Sequence, residues 1–313
     1  PLRGITAKLD MTKGDVNMFE MFGERKDQIS LYGVHLNKLV LMTEQALGAA
    51  DPAAVSIIRS ELKDLLTNFY VHMRMWAHAA EENQDKLRLV GLDHNEVPRL
   101  QHFVPYLDTM HKSLLEQANA DTDAQRAVKT LQGVFKDMLN ANSDLFNQHT
   151  SYELDATSSA RRVVYDFSGL AHRGKGIAMA QLVNVVGFAV SSLQEGDVLM
   201  IHGADQITDS QVQDYLKAQF ERLFKIGARV AYLYDSPDAM LATAGFNKFE
   251  RADYTILGPM GKEVVADYER AIMTAVPNEL KAMLAAVNLS ISYLRRGSVN
   301  VVFTTQLSLG LEK

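Results

Sequence analysis

The sequence predicts an α/β chain in which a parallel-sheet core carries an inserted all-α lobe. Three observations carry that prediction. Between residues 24 and 150, apolar residues recur at helical spacing, glycines are sparse and β-branched runs are short. After Arg161, short and nearly continuous apolar runs alternate with helix-period segments, the pattern of a parallel sheet buried on both faces. Before residue 24 the chain reads as short strands and turns. The core therefore takes residues 1–23 and 151–313, and the lobe takes residues 24–150.

Each element follows from its own stretch. GITAKLD alternates in part and VNMFEMF is apolar and aromatic. LYGVHLNKLVLMTEQAL, AAVSIIRSELKDLLTNFYVHMRMWAHA and DAQRAVKTLQGVFKDMLNAN are helix-period runs. Asp51 is a candidate N-cap, with Pro52 at the first helical position. VPRLQHFVPYLDTMHKSLLEQA reads as a loop and then a helix. RRVVYDFSG is a strand, GIAMAQLVNVVGFAVSSL a helix and DVLMIHGAD a second strand. SQVQDYLKAQFERLFKIG is a helix closed by Gly227, and ARVAYLYD is a third strand. ADYTILGP, EVVADYERAIM and PNELKAMLAAV continue the α/β alternation, and NVVFTTQLSL is a final edge strand.

The 313 residues suffice for a sizeable core and suggest about two domains. Hydrophobic content of 47% and charged content of 22% are ordinary for a globular chain. A net charge of −6 does not support a broadly basic nucleic-acid surface. With no cysteine, disulfides and thiolate zinc sites are excluded, and a reducing compartment fits. No run approaches the roughly 18 apolar residues of a membrane span. The N-terminus has no signal-peptide pattern and no initiator Met, so a processed chain or a fragment is expected.

Residues 169–176, GLAHRGKG, come one residue short of the phosphate-binding pattern G-x-x-x-x-G-K-[ST]. Gly169, Gly174 and Lys175 are in register, but Gly176 has no hydroxyl for Mg²⁺. A working loop cradles phosphates on backbone N–H groups at a helix N-terminus, with the lysine reaching the β- and γ-phosphates. The plainer reading is a strand-to-helix turn. In DVLMIHGADQI, an apolar strand ends in His202-Gly203-Ala204-Asp205, where a motor ATPase needs an acidic pair for Mg²⁺ and water. Neither His nor Gly holds a hydrated Mg²⁺, and Asp205 lies past the strand end. The plainer reading there is a capped turn, with Asp209 or Thr208 capping the next helix.

His72 and His78 are six apart and off one helix face, and His94 and His102 have no acidic partner at ligand spacing, so no metal site is expected. No G-x-S-x-G occurs. FYVHMRMW packs a helix core in preference to stacking bases. Arg295-Arg296-Gly297 precedes the last strand. It is a solvated turn, or a pair of arginines reaching an anion in a neighbouring subunit.

Taken in order, NMFEMF, the helical stretch, SDLFNQHTS, RRVVYDFSGL, DVLMIHGADQI, ARVAYLYDSPDAML, ADYTILGPM and SVNVVFTTQL resemble the transfer ATPases of conjugative type IV secretion, a branch of the HerA–FtsK motor superfamily. The resemblance covers most of the chain and rests on order more than on any one motif. It implies a RecA-like P-loop NTPase core with a helical insertion, and a phosphate-binding loop upstream of NMFEMF, before residue 1. It also implies ATP and Mg²⁺ as cofactors, hexamers or other rings (a monomer being the alternative without nucleotide at the interface), partners within a secretion machine, and a cytoplasmic place at the inner face of the membrane.

Departures from that family pattern fall on the chemistry. Met18 stands where the family has Pro. The acidic pair maps onto His202 and Gly203, and the sensor Gln onto Asp235, which when ionised only accepts hydrogen bonds. No catalytic set is intact, and Arg295 or Arg296 is the candidate arginine finger. The expectation is a degenerate or truncated motor domain acting mainly through protein contacts. The alternative is an active motor whose phosphate loop lies outside this chain or at Gly169–Gly176.

Overall fold

A computed structural model describes residues 6–48, 52–117, 121–151, 160–245, 252–286, 291–297 and 299–304. The chain divides into two compact units, residues 2–193 and 194–313. Asp51, the candidate N-cap, lies outside the described residues, as do Thr305–Leu309 of the expected last strand.

In the first unit, β1 (Thr6–Asp10) pairs in parallel with β2 (Arg162–Asp166), Asp10 opposite Asp166. Between them the described elements are helical: α1 (Gln28–Leu47), α2 (Pro52–His72), α3 (Leu100–Glu116), α4 (Thr122–Ala141) and the short α5 (Ser143–Phe146). After β2 comes α6 (Lys175–Ser192), which packs along α1. Local chemistry sets the helix ends. Gly48 closes α1 in the left-handed region at φ 60°, its N–H donating to the Glu44 carbonyl. Asp121 caps α4 by accepting from the Asp123 N–H at 2.8 Å.

The sequence expectation carries α2 through MRMWAHA, but the helix ends at His72. There the Met75 and Trp76 N–H groups turn back to the Tyr70 carbonyl, with Arg74 left-handed at φ 58°. The turn is held by packing: the Trp76 ring stacks on Tyr32 at 3.8 Å between centroids. A non-local contact overrides the local helical period here.

The core of this unit is aromatic. Phe19 lies 5.8 Å from Phe69 and 5.5 Å from Phe103, and Phe103 meets Phe135 edge-on at 4.9 Å. All four are buried to 1% or less. The loop segment carrying Phe19 is therefore the centre of the packing between α2, α3 and α4.

In the second unit, β3 (Val198–His202) and β4 (Arg229–Leu233) pair in parallel, joined through α7 (Ser210–Lys225). Phe220 of α7 meets Tyr232 edge-on, covering one face of the pair. Next come α8 (Pro237–Ala242), β5 (Thr255–Leu257), α9 (Lys262–Ile272), α10 (Asn278–Ala285), β6 (Ile291–Arg296) and β7 (Val299–Thr304). Met240, Leu257, Val265, Tyr268, Val276, Leu284 and Tyr293 form its core.

The mixed α/β class is as expected, but the sheet is not one continuous parallel core. Among the described residues there are two parallel pairs and one antiparallel sheet in the order β5-β6-β7. The antiparallel turn is local in origin. Arg296 pairs with Val299, and Gly297, which follows β6, is at φ 57°. Gly-Ser in a two-residue loop is a hairpin signal, because the tight turn needs a residue tolerant of positive φ. The expectation of strands buried on both faces also fails in part: Val198 and Met200 are 53% and 57% exposed.

Candidate functional site

GLAHRGKG is folded into two pieces. Residues Ser168–Arg173 make a 3-10 turn, and Gly174, at φ 84°, leads into α6. Asp166 at the end of β2 starts this turn by accepting from the Ser168 N–H (3.0 Å) and hydroxyl (2.7 Å). Asp10 at the end of β1 does the same with Thr12, at 3.0 and 2.7 Å. Lys8 lies 2.8 Å from Asp166, and these hydrogen bonds hold the Asp166 carboxyl well below the usual carboxylate range. Both strand tips are thus closed by Asp-x-Ser/Thr turns.

The glycines of this stretch have separate reasons. A Cβ at Gly169 would collide with the Thr12 methyl of the neighbouring strand tip. A Cβ at Gly176 would lie well under 3.0 Å from the Gln45 backbone carbonyl of α1. The position that must carry a hydroxyl in a P-loop is therefore one where α6 leaves no room for a side chain against the α1 backbone. Lys175 is exposed at the first residue of α6.

In the second unit the strand tips bring together three residues that the sequence singles out. His202 ends β3 and its Cα is paired with Leu233 of β4. Gly203 follows at φ 74° and starts a 3-10 turn over Ala204–Gln206. Asp235 lies two residues past β4, its Oδ1 3.6 Å from His202 Nε2, with side chains 91% and 66% exposed. Asp205 accepts from its neighbour Gln206 at 2.9 Å, and Asp209 caps α7 by accepting from the Gln211 and Val212 N–H groups at 3.0 Å each. A lone His–Asp pair supplies one carboxylate and one imidazole. That donor set does not fit a magnesium ion, which takes hard oxygen ligands in octahedral geometry. Among the described residues no group of three or more His, Cys, Asp and Glu converges as a metal site.

Arg295 and Arg296 end β6 at the hairpin. The Arg296 guanidinium lies 5.3 Å from the centre of the Tyr254 ring, and Arg295 Nε donates to the Gly297 carbonyl at 3.4 Å. Gly169, Gly174 and Lys175 belong to one compact unit; His202, Gly203, Asp235, Arg295 and Arg296 belong to the other.

Sequence reasoning misses a polar network buried around NMFE. Asn17 donates from Nδ2 to the Pro98 carbonyl (3.1 Å) and accepts the Phe19 N–H (3.0 Å). Glu20 is buried, with Oε1 2.7 Å from His94 Nδ1 and Oε2 accepting from the Thr150 hydroxyl at 2.5 Å. Lys38 of α1 donates to the Met18 carbonyl (2.9 Å) and to Asn184 Oδ1 on α6 (3.2 Å). Burial pulls the Lys38 ammonium down to about 7, with Glu20 opposing. The Tyr70 hydroxyl donates to the Phe19 carbonyl (3.0 Å) and lies 2.7 Å from His35 Nε2. Tyr70 then accepts from a neutral His35, and burial holds that imidazole well below its usual range. The available signal was a lysine and a histidine on the apolar face of a helix-period run, Lys38 and His35 in LYGVHLNKLVLM. Polar residues at core positions require buried partners.

No protein-family model and no curated protein matches the chain. Solved structures do. VirB4 of Thermoanaerobacter pseudethanolicus superposes with a TM-score of 0.73 at 15% identity, over 98% of this chain and 78% of that one. The chain has the fold of VirB4. The bacterial conjugative coupling protein TrwB (ΔN70 form) aligns at TM-score 0.50 and 12% identity, over 98% of this chain and 74% of that one. TrwB in complex with the non-hydrolysable ATP analogue ADPNP aligns at 0.51 and 10% identity, over 98% and 75%. The resemblance read in the order of the motifs is thus borne out: the structural neighbours are VirB4 and a conjugative coupling protein. On that fold this chain carries His202, Gly203 and Asp235 at its β3 and β4 strand tips.

Proposed function

We propose that this chain is a motor-type domain of conjugative type IV secretion that acts through protein contacts instead of hydrolysing ATP itself. In this reading residues 1–23 and 151–313 form a RecA-like α/β core around the all-α lobe of residues 24–150. One observation carries it. The adjoining tips of β3 and β4, where a motor needs an acidic pair and a water-orienting group, present an exposed His202–Asp235 pair and Gly203. Losing metal binding and a positioned base costs several kcal/mol of barrier, typically 10²–10³ in rate for each group of this kind. The partners are other components of the secretion machine, at the cytoplasmic face of the membrane.

Calorimetric titration of the chain with Mg·ATP and with a slowly hydrolysed analogue tests the reading. No heat of binding up to millimolar nucleotide is expected. Binding at micromolar affinity overturns it.

A second reading is favoured by the fold it shares with TrwB, one structure of which holds an ATP analogue. The chain is then an active motor whose phosphate loop lies outside these residues or at Gly169–Gly176, with Arg295 or Arg296 acting in trans on a neighbouring subunit. Lys175→Ala separates the two. Loss of nucleotide binding in that variant supports the second reading, whereas an unaltered blank titration supports the first.

A further inference from the structure

The β5-β6-β7 sheet has two unlike faces. Leu257 and Tyr293, paired across β5 and β6, point into the α9–α10 core and are 8% and 3% exposed. Among the described residues, nothing comparable lies over the opposite face. Leu294 sits there between Ile256 and Val301, and Arg296 sits opposite Val299. Ile256 is 64% exposed, Val299 58% and Val301 44%. An antiparallel sheet often turns one face to water, but that face is then polar. This one is apolar over all three strands and carries no carboxylate among its described residues. Its charge is Arg296, set over the half-exposed ring of Tyr254.

We infer that this face docks an amphipathic helix of a partner protein, apolar along one stripe and flanked by carboxylates. A helix about 10 Å across covers the roughly 10 Å from β5 to β7, whereas a strand added at an edge leaves Ile256 uncovered. Arg296 at the border of an apolar patch selects an acidic flank, and a charge at such a rim sets partner choice and association rate. A second copy of the face offers Arg296 no carboxylate, because the face carries none among its described residues. The inference rests on the protein-contact reading proposed above.

The test uses the full chain and two fluorescent helical peptides of roughly 18 residues, about 27 Å of helix. Both carry one leucine stripe, flanked in one by Glu and in the other by Lys. Anisotropy is expected to show binding of the Glu peptide below about 100 µM and at least about tenfold weaker binding of the Lys peptide. Val301→Ser should weaken the Glu peptide about tenfold, and Arg296→Glu should reverse the preference. Both side chains are exposed, and thermal melts of the variants are expected to match the parent.

Equal binding of the two peptides, no binding of either, or indifference to Val301→Ser overturns the inference. So does self-association that Val301→Ser abolishes in sedimentation, which makes the occupant a second copy. Binding of a single-stranded DNA oligonucleotide that Arg296→Glu removes also overturns it. Failure here with a blank Mg·ATP titration refutes this docking face alone. Nucleotide binding refutes the protein-contact reading whatever the peptides do.

Discussion

Gly176→Ser restores the phosphate-loop pattern letter for letter, GLAHRGKS, and therefore separates a degraded nucleotide site from a packing solution. The added Cβ would sit well under 3.0 Å from the Gln45 carbonyl oxygen and 3.3 Å from its carbon. Both are backbone atoms of α1 and cannot swing aside. Forcing a side chain into such a contact typically costs about 1–3 kcal/mol. For a unit of this size, 1 kcal/mol moves the midpoint by about 2–4 °C, so a loss of about 6 °C is expected in a thermal melt. The variant should still give no heat with Mg·ATP, because His202 and Gly203 still stand at the β3 tip where the acidic pair is needed. Gly174→Ala is the control: its space is open but φ is 84°, so it should lose only about 1 kcal/mol. A Gly176→Ser protein that melts within a degree of the parent, or that binds Mg·ATP, refutes the argument.

Three further outcomes follow from other parts of the structure. Phe19→Ala should cost about 3–5 kcal/mol by urea denaturation, since its ring is buried against Phe69 and Phe103. Lys38 should make stability rise with pH. Its folded pKa of about 7 lies below the ordinary lysine value of 10.5, so between those limits the unfolded chain holds more protons. The deficit is complete below about pH 7 and recovers by about 2 kcal/mol toward pH 9. Urea midpoints at the two pH values should show that rise in the parent and lose it in Lys38→Met. Met273 closes α9 in the left-handed region at φ 51° and is 92% exposed. Met273→Gly should therefore stabilise the protein by about 1 kcal/mol, seen as a higher midpoint.

What the sequence could show depended on range. The long helices α1 and α4 were legible because their periodicity is a local property of 20 residues, and α6 from a long apolar run between two strand-like stretches. The Asp209 cap was legible for the same reason. The early end of α2 was not, because the stacking of Trp76 on Tyr32 is set by residues far apart in sequence. The β6–β7 hairpin was legible in principle from Gly297-Ser298 but was overshadowed by the preceding α/β alternation. At the candidate site, the chemistry of His202 and Asp235 could be read from the strand ends, and their proximity then followed from parallel pairing. The reason for Gly176 could not be read, since it is the backbone of another helix. Nor could the partners of Glu20 and Lys38, which come from α6, from the loop before α3 and from the stretch after α5.

The NMFE segment also constrains how the chain is made. The Val16 carbonyl waits for Asn184 Nδ2, 168 residues away, and the Met11 carbonyl for Gln181, 170 residues away. Glu20 and Asn17 both wait for Thr150, 130 and 133 residues on. At the usual elongation rate of about 5–20 residues per second, roughly 8–34 seconds separate the emergence of this segment from that of its last partner. Through that interval a methionine- and phenylalanine-rich stretch is outside the ribosome with its binding sites unmade. Contacts of such range also slow folding itself. The nascent chain therefore has a long exposure window at this segment, in which a holding chaperone has an apolar stretch to protect.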